Sequence, residues 1–311
     1  MKICLIGNDL RMMLRFRGET IDYLIKSGFD VHLICPEQTH PIEIDDEITI
    51  HVIEFSERKI SIFELMQVAY NLRQILKFIK PNLIISFSIK PILISIISNM
   101  FLRTPSISFL SGLGYVFTPN FRFRGLGSYL IKFIGYFSSE IVVLNQDDFC
   151  YVNDRVLNCP VNICPGEGIK LNDFTKSDTS EKEIDFLYLG RLIDDKGFGI
   201  FLDAVTVMST KLPAIFACAG SGPGLSKINM FLKSGQLNPK TFSYLGQVTD
   251  IKSLISKSRY LVLPSMREGI SRAIMEAMSL EVVCIGTDVP GIRQLINHQE
   301  TGFLLDEPDC E

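Results

Sequence analysis

The chain has 311 residues, of which 47% are hydrophobic, and a formal net charge of −4 at pH 7. This length predicts two domains with sizeable cores. The net charge excludes the strongly basic footprint of a nucleic-acid-binding protein, so no nucleic-acid partner is expected. None of the eight cysteines forms a CxxC pair, and four lie in apolar runs where buried reduced thiols are usual, namely Cys4, Cys35, Cys218 and Cys284.

Reduced thiols are typical of a cytoplasmic protein. Lys2 enters a strand-like run directly, so the sequence predicts no signal peptide. The longest apolar stretches are 83–102 and 126–144, which contain Lys90 and Lys132. Because a membrane-spanning helix needs about 20 unbroken apolar residues, each stretch is interpreted as a strand plus a helix.

The first half of the chain alternates strand and helix patterns. Short apolar runs predict buried strands at 2–7, 31–35, 48–55, 83–88, 106–110 and 140–148. Apolar residues at helical spacing predict helices at 17–28 and 62–79. The first strand ends at Gly7-Asn8, and such a strand–loop–helix–strand opening is typical of a doubly wound parallel sheet.

Residues 121–137 interleave basic residues with six aromatic ones, the basic residues being Arg122, Arg124 and Lys132. This mixture suits a surface that faces anionic lipid, although a core helix preceded by a basic loop explains it equally well. A second basic cluster near the N-terminus either faces the same side or contacts a diphosphate ligand; it consists of Arg11, Arg15 and Arg17.

The domain boundary is predicted within the linker-like stretch 162–174, which gives domains at 1–165 and 166–311. The polar run 175–183 is interpreted as a solvated loop. The second half then repeats the alternation. Its strands are predicted at 184–190, 242–248, 260–263, 282–288 and 301–305, with a strand plus a glycine turn at 214–224, and its helices at 198–210, 250–257 and 292–297.

Two stretches of the second half have the composition of a phosphate site. Arg191 and Lys196 follow a strand and precede Gly197, an arrangement that suits a diphosphate clamp, the alternative being exposed surface charge. Gly220 and Gly222 lie in a glycine turn after the next strand. These glycines alone are a weak dinucleotide signal, and no acidic residue follows at the required distance, which argues against a dehydrogenase.

The most informative stretch is 261–280, a buried strand, a glycine-containing loop and a helix whose predicted N-cap is Ser271. A helix N-terminus beside a strand end binds anions, and Gly269 lets a ligand approach the backbone. Glu268 in the loop and Glu276 in the helix supply two carboxylates. The alternative interpretation is a solvated surface helix with Arg272 and Glu276 as an i,i+4 pair.

The motifs EGISRAIMEAMS and TDVPGIRQLI, with Glu268 and Glu276 in a Glu-x7-Glu pattern, closely resemble family 4 glycosyltransferases. The resemblance implies an α/β protein of GT-B fold, with two Rossmann-like doubly wound domains facing a cleft, a nucleotide-sugar donor and retention of configuration. It assigns catalysis to Glu268, Arg191 and Lys196. It assigns donor binding to Glu276, Gly269, Ile270, Ser271, Arg272, Gly220, Ser221, Gly222 and Val248.

The stretches SIKP (88–91) and SGLGYVF (111–117) resemble the members of this family that build bacterial surface polysaccharides. Those enzymes often act on lipid-diphosphate-linked acceptors, so the resemblance implies a peripheral, cytoplasmic protein on the inner face of the inner membrane. It implies a UDP-sugar donor, with UDP-GalNAc or a related hexosamine expected. The acceptor or cleft residues implied are Asn8, Lys90, Gly112, Leu113, Gly114 and Tyr115.

The sequence contains no D-x-D, so we expect neither a metal ion nor another cofactor. It departs from the family at Glu281 and Val283, where Gly-x-Pro is usual, and its second domain is expected to be incomplete because the final helices of the family are missing. That departure motivates an alternative, a truncated, non-catalytic nucleotide-sugar-binding protein. A GT-B epimerase or phosphorylase is a third possibility, but no cofactor-lysine signal supports a phosphorylase.

Overall fold

The computed structural model describes residues 1–36, 48–54, 61–113, 124–166, 168–175 and 181–306. The chain divides into two compact units, residues 1–167 and residues 168–311. Each unit contains one parallel sheet with helices. No helix among the described residues has both the length and the apolar character that a membrane crossing requires.

The first unit alternates strands with helices. Its strands are β1 Lys2–Ile6, β2 Asp30–Cys35, β3 Thr49–Val52, β4 Leu83–Phe87, β5 Ser106–Leu110, β6 Glu140–Val143 and β7 Val161–Ile163. Its helices are α1 Leu10–Lys26, α2 Ile62–Ile79, α3 Ile89–Asn99, α4 Arg124–Phe137 and α5 Gln146–Asn153. The sheet order is β3-β2-β1-β4-β5-β6-β7, so the direction of winding changes between β1 and β4.

Alternate residues of β1 point to opposite faces of the sheet and build two cores. Ile3 and Leu5 pack with the apolar side of α1. Cys4 and Ile6 pack on the other face, with α2 and with Ile94 of α3. Helix α1 therefore covers one face of the first sheet, and α2 and α3 cover the opposite face.

Three elements of the first unit differ from the sequence prediction. Helix α1 begins at Leu10 and not at residue 17, because the side chain of Asp9 accepts a hydrogen bond from the N–H of Met12 at 2.9 Å and caps the helix. Helix α5 and strand β7 lie where a longer strand and a linker were predicted. Asn145 caps α5, and Val161 pairs with Ile141 of β6.

The second unit repeats the same alternation. Its strands are β8 Ile184–Leu189, β9 Phe216–Ala219, β10 Phe242–Tyr244, β11 Ser258–Leu263, β12 Val283–Thr287 and β13 Gly302–Leu305. Its helices are α6 Phe198–Met208, α7 Leu225–Lys233, α8 Ile251–Ser256, α9 Arg272–Ser279 and α10 Pro290–Arg293. Short 3₁₀ helices span Leu171–Phe174 and Asp194–Lys196. The sheet order is β10-β9-β8-β11-β12-β13, and the winding reverses between β8 and β11.

The four cysteines predicted to be buried thiols are buried and free, and burial raises the pKa of each to about 12, namely Cys4, Cys35, Cys218 and Cys284. Of the two positions that depart from the family, Glu281 has a φ of 57° in the turn between α9 and β12. That left-handed conformation favours glycine. The turn is therefore built despite the departure, with a glutamate in a strained position.

Candidate active site

The carboxyl ends of four adjacent strands, β10, β9, β8 and β11, carry the predicted donor-binding loops. All strands of the sheet are parallel, so the loops that follow β10, β9, β8, β11 and β12 lie at one edge in that order. Lys196 follows β8 and Glu268 follows β11, the two strands between which the winding reverses. Open α/β sheets bind ligands in the crevice at this position.

An ion pair between Lys196 and Glu268 lies at this edge. The lysine Nζ is 2.6 Å from Oε1 of Glu268, and 72 positions separate the two residues in the chain. Only 22% of the lysine side chain and 9% of the glutamate side chain are exposed. Because shielding from water strengthens such a pair, each side chain orients the other. The edge therefore presents a cation and a carboxylate side by side.

Two buried hydroxyl groups support Glu268. Ser265 is completely buried, and its Oγ donates a hydrogen bond to Oε1 of Glu268 at 3.1 Å. Thr287, the last residue of β12, donates its hydroxyl to the backbone carbonyl of Ser265. The loop after β11 is thereby attached to the end of the neighbouring strand. Neither residue was predicted to belong to the site, because a polar residue at the end of an apolar strand is a weak signal.

Tyr188 supports the loop that carries both cations. It is completely buried, and its hydroxyl lies 2.7 Å from the carbonyl oxygen of Arg191 and 3.3 Å from that of Lys196. Burial, and then the charge of Glu268, raises the pKa of Tyr188, so the phenol remains a hydrogen-bond donor. This role was not predicted, because Tyr188 is one of several large side chains in an apolar strand.

The loops after β8 and β11 also touch through their backbones. Gly197 has a φ of 65°, and a Cβ at this position would lie 1.7 Å from the carbonyl oxygen of Pro264. Only glycine fits this approach. The N–H of Met266 donates to the carbonyl of Asp195 at 3.0 Å. The backbone therefore fixes the loop of Lys196 against the loop of Glu268.

The loops after β8, β9 and β10 are joined in the same way. The N–H of Gly220 donates to the carbonyl of Gly246 at 2.7 Å, and the N–H of Leu192 donates to the carbonyl of Ser221 at 2.9 Å. A Cβ on Gly220 would lie 1.8 Å from the carbonyl oxygen of Gly190, so the glycine turn packs directly on the loop of the cations. These glycines serve backbone packing, whatever they contribute to a ligand.

The other predicted residues of these loops differ in exposure. Arg191 is exposed. A Cβ on Gly222 would lie 2.6 Å from the carbonyl oxygen of Leu192, so this glycine too allows close packing. Val248 is half-buried and packs against the core of the second unit. Arg191 is thus the cation that faces solvent, whereas Lys196 is the one engaged with Glu268.

Helix α9 begins at its predicted N-cap. The Oγ of Ser271 accepts a hydrogen bond from the N–H of Ile274 at 3.4 Å. The N–H of Ser271 donates to the carbonyl of Gly291 at 3.3 Å, so this predicted anion donor already has a partner within the chain. A Cβ on Gly291 would lie 2.5 Å from the carbonyl oxygens of Glu268 and Gly269. The first turn of α10 therefore supports the loop before α9, in which Ile270 is half-buried.

Glu276 and Arg272 form a second ion pair within α9. The Nε of Arg272 lies 2.8 Å from Oε1 of Glu276, and only 3% of the Glu276 side chain is exposed. The alternative prediction of an i,i+4 pair is confirmed, but its solvated setting was wrong, because the glutamate lies inside the protein. A carboxylate in this setting depends on its partner, since an unpaired buried charge is costly.

Several predicted acceptor residues lie at the carboxyl edge of the first sheet. Asn8 follows β1, Lys90 is in the first turn of α3, and Gly112 follows β5 with a φ of 125°. Among the described residues, the side-chain oxygen of Asn8 is buried without a hydrogen-bond partner. Leu113 packs against the core beneath α3 and α4. The other two predicted residues lie outside the described ranges, namely Gly114 and Tyr115.

Arg17 reaches this edge from α1. Its guanidinium carbon lies 3.9 Å from the centre of the Phe87 ring and 5.4 Å from that of Phe109. Its Nη2 donates to Oγ of Ser111 at 3.4 Å. Arg17 is therefore held beside the loop of Gly112, whereas the other two arginines of the N-terminal cluster are exposed on α1, namely Arg11 and Arg15.

Within the described parts of the chain, no group of three or more His, Cys, Asp and Glu side chains is arranged to hold a metal ion. Lys196, Arg191 and the first turn of α9 are positive groups at the edge of the second sheet.

Comparisons with known proteins decide the family. Residues 2–145 match the family model described as glycosyl transferase 4-like, and residues 183–311 match the one described as glycosyl transferases group 1. The chain belongs to this glycosyltransferase family. The second match contains both glutamates of the Glu-x7-Glu pattern, and the family predicted from that pattern is confirmed.

Two curated relatives are named for the lipid-linked sugars of bacteria. The "UDP-Gal:alpha-D-GlcNAc-diphosphoundecaprenol alpha-1,3-galactosyltransferase" of Escherichia coli is 24% identical over 311 residues, covering 94% of this glycosyltransferase and 80% of the relative. The "GalNAc-alpha-(1->4)-GalNAc-alpha-(1->3)-diNAcBac-PP-undecaprenol alpha-1,4-N-acetyl-D-galactosaminyltransferase" of Campylobacter jejuni is 28% identical over 239 residues, covering 76% and 64%.

Solved structures show the fold. Sucrose-phosphate synthase from Thermosynechococcus elongatus superposes with a TM-score of 0.79 at 15% identity, covering 99% of this glycosyltransferase and 86% of that chain. Anabaena HepE in complex with UDP-glucose gives a TM-score of 0.76 at 15% identity, with the same coverage. The predicted GT-B fold is confirmed.

Proposed function

We propose that this glycosyltransferase moves a sugar from a UDP-sugar to a saccharide carried on a polyprenyl diphosphate, in the synthesis of a bacterial surface polysaccharide. The observation that carries the proposal is the Lys196–Glu268 pair. It lies at the switch point of the second sheet, between β8 and β11, where the direction of winding reverses. The chemistry of a nucleotide sugar, an anionic diphosphate next to sugar hydroxyls, matches an adjacent cation and carboxylate. The names of the Escherichia coli and Campylobacter jejuni relatives support the acceptor class.

In this proposal Lys196 and Arg191 bind the donor diphosphate. Negative charge grows on the diphosphate as the glycosidic bond breaks, and fixed cations in a shielded site stabilise it without reorganisation. Lys196 then lies between the diphosphate and Glu268. The first turn of α9 adds its positive dipole end, so the residues at this edge balance the charge without a metal ion.

The two glutamates bind the hydroxyl-bearing parts of the donor. Glu268, supported by Ser265, accepts hydrogen bonds from the donor sugar. Glu276, held by Arg272, accepts from the ribose of the nucleotide. The loops of Gly220 and Val248 complete the nucleoside side of the site. UDP-GalNAc or a related hexosamine is the donor we propose, and the name of the Campylobacter jejuni relative supports it.

The reaction we propose retains the anomeric configuration. The acceptor hydroxyl attacks from the face that the diphosphate leaves, and an oxygen of the leaving phosphate takes the hydroxyl proton. The transition state resembles an oxocarbenium ion, so neither glutamate acts as a covalent nucleophile. The acceptor is bound by the first unit, at the edge of Asn8, Arg17, Lys90 and Gly112. A lipid-linked acceptor also requires the protein to work at the cytoplasmic face of the inner membrane.

A donor panel tests the proposal. The chain is incubated with UDP-hexoses, UDP-N-acetylhexosamines and a short polyprenyl-diphosphate saccharide, and the product is analysed by mass spectrometry and NMR. We expect turnover with one donor and an axial (α) linkage, and we expect Lys196→Ala to abolish it. UDP binding without transfer would favour the non-catalytic alternative. An inverted linkage would contradict the retaining reaction.

A further inference from the structure

Helices α2 and α3 cover the same side of the first sheet, and α4 packs beside α3. The outward side of these helices carries large apolar side chains that no described part of the chain covers. Phe63, Phe78 and Phe101 are 79%, 82% and 73% exposed. Six exposed side chains make up what we call the aromatic face: Phe63, Met66, Tyr70 and Phe78 of α2, Phe101 after α3, and Tyr136 of α4.

The exposure follows from the sequence of α2. Phe63, Met66 and Tyr70 recur at intervals of three and four residues, so they form one stripe along the helix. The opposite stripe is buried in the core, through Val68, Ala69, Leu72 and Leu76. A helix with apolar residues on its outer as well as its inner side indicates a surface that binds a partner.

The stretch of sequence that carries most of the aromatic face is rich in cations. Residues 65–139 contain eight lysines and arginines and no aspartate or glutamate, in a chain whose net charge is −4. The guanidinium carbon of Arg73 lies 4.8 Å from the centre of the Phe101 ring, and Lys77 is exposed on the same helix. The acidic residue just before this run, Glu64, accepts a hydrogen bond from the N–H of Ser61 in the capping box of α2.

We infer that the aromatic face docks on an anionic lipid bilayer. Aromatic side chains settle at the level of the lipid headgroups, and lysines and arginines beside them are attracted by anionic headgroups. A second copy of this chain fits less well, because pairing the face with itself would bring lysines and arginines opposite each other. The acid-free run therefore favours lipid over self-association as the occupant.

One end of the aromatic face lies at the acceptor edge. Helix α2 leads back toward β4 from the carboxyl edge of the first sheet, so Phe63 in its first turn lies at the edge where Asn8 and Gly112 also lie. Phe78, Phe101 and Tyr136 are at or just after the ends of their helices, toward the opposite edge, so docking through the whole face would lay α2 along the membrane surface. The biological purpose of the face rests on the proposed function, whereas its lipid binding is measured without donor or acceptor.

Vesicle co-sedimentation tests the inference. The chain is mixed with vesicles of phosphatidylcholine alone or with vesicles of phosphatidylcholine and phosphatidylglycerol. We expect binding to the mixed vesicles that salt weakens and little binding to the neutral ones. The double variant Tyr70→Ser/Lys77→Glu should bind at least about fivefold more weakly, since each surface cation is worth about that factor.

A matched control lies on the opposite face of the same sheet. Tyr23 on α1 is 70% exposed, close to the 63% of Tyr70, and Lys26 near it is exposed. Tyr23→Ser/Lys26→Glu should bind vesicles like the wild type. Thermal melting by circular dichroism checks that both double variants are folded.

Equal binding to neutral and mixed vesicles, or equal weakening by the two double variants, would overturn the inference. So would a dimer in lipid-free solution that the α2 variant abolishes. Vesicle binding without sugar transfer would leave the inference standing and contradict the proposed function. Transfer to a soluble acceptor analogue without vesicle binding would support the proposed function and overturn the inference.

Discussion

Lys196 and Glu268 belong to loops on opposite sides of the switch point of the second sheet, and their charged atoms lie 2.6 Å apart. The contact does not depend on the two side chains alone. Tyr188 anchors the loop of Lys196, and Ser265 anchors Glu268. The geometry of the pair is therefore set by the fold, as a site that stabilises developing charge requires.

Glu268→Gln should lower kcat for sugar transfer by on the order of 100-fold or more, because the substitution removes one fixed charge from a shielded site while keeping its shape. UDP binding should remain, since Lys196 and Arg191 are unchanged. The measurement is turnover beside UDP affinity by calorimetry. Glu183→Gln is the control, because it breaks an exposed Lys–Glu pair in the same unit, 3.0 Å from Lys257. Equal turnover of the two variants would exclude Glu268 from the active site.

Arg272→Met should destabilise the protein by about 3 kcal/mol, because it leaves the buried carboxylate of Glu276 unpaired. Adding Glu276→Gln should recover much of that loss. Urea denaturation measures both effects. As a control, Arg293→Met breaks the exposed pair with Asp288 and should cost less than about 1 kcal/mol. Similar losses in the two single variants would show that burial of Glu276 has no energetic effect.

Thr287→Val should cost about 1–3 kcal/mol of stability, because the buried carbonyl of Ser265 loses its hydroxyl donor. Transfer activity should fall as well, since Ser265 supports Glu268. Thr287→Ser keeps the hydroxyl and should restore much of both. The stability is read from thermal melting and the activity from initial rates. A valine variant as active as the serine variant would dissociate Thr287 from the site.

Acid should destabilise the first unit through His51. Its Nε2 lies 3.1 Å from Nδ1 of His32, which in turn lies 3.4 Å from Asp30 through Nε2. Burial, and then the charge of His32, lowers the pKa of His51 below its ordinary value of 6.5. The unfolded chain thus binds the proton more readily than the folded one. The free energy of unfolding that depends on neutral His51 is therefore fully present above pH 6.5 and is lost as the pH falls below it.

The test compares melting temperatures from above to below pH 6.5 for the wild type and His51→Gln. Glutamine keeps a hydrogen-bonding group but does not titrate, so its melting temperature should change less over that range. Identical pH profiles would show that another group causes the loss.

Patterns of neighbouring residues predicted much of the fold correctly. Helix α2 was predicted from its apolar periodicity and α9 from its N-cap Ser271, and both helices begin where they were expected. The start of α1 was predicted too late in the chain. Gly28 is an obvious signal for the end of the helix, whereas Asp9 as its N-cap was not recognised. Strand β7 was missed because three residues carry too little periodicity, and its pairing with β6 defines it.

The candidate site was predicted in its chemistry but not in its contacts. Glu268 and Lys196 were found through their motifs, whereas their pairing depends on loops that only the parallel sheet brings together. Tyr188 and Ser265 bond to residues three positions along the chain, Tyr188 also bonds to Lys196, and Thr287 bonds to Ser265 from a neighbouring strand. A hydroxyl group in or after an apolar strand does not indicate by itself which oxygen it will bond to.

The glycine contact between the loops after β8 and β11 has a consequence for how donor preference changes within a family. Because Gly197 lies against the carbonyl of Pro264, a side chain at position 197 would not fit, and the segment around Lys196 tolerates little change in sequence. The loop after β10, at the outer end of the sheet, has half-buried or exposed residues and fewer such constraints. If the proposed function holds, selection for a new sugar nucleotide would therefore change residues at the periphery of the second unit and leave the loop proposed to bind the diphosphate unchanged.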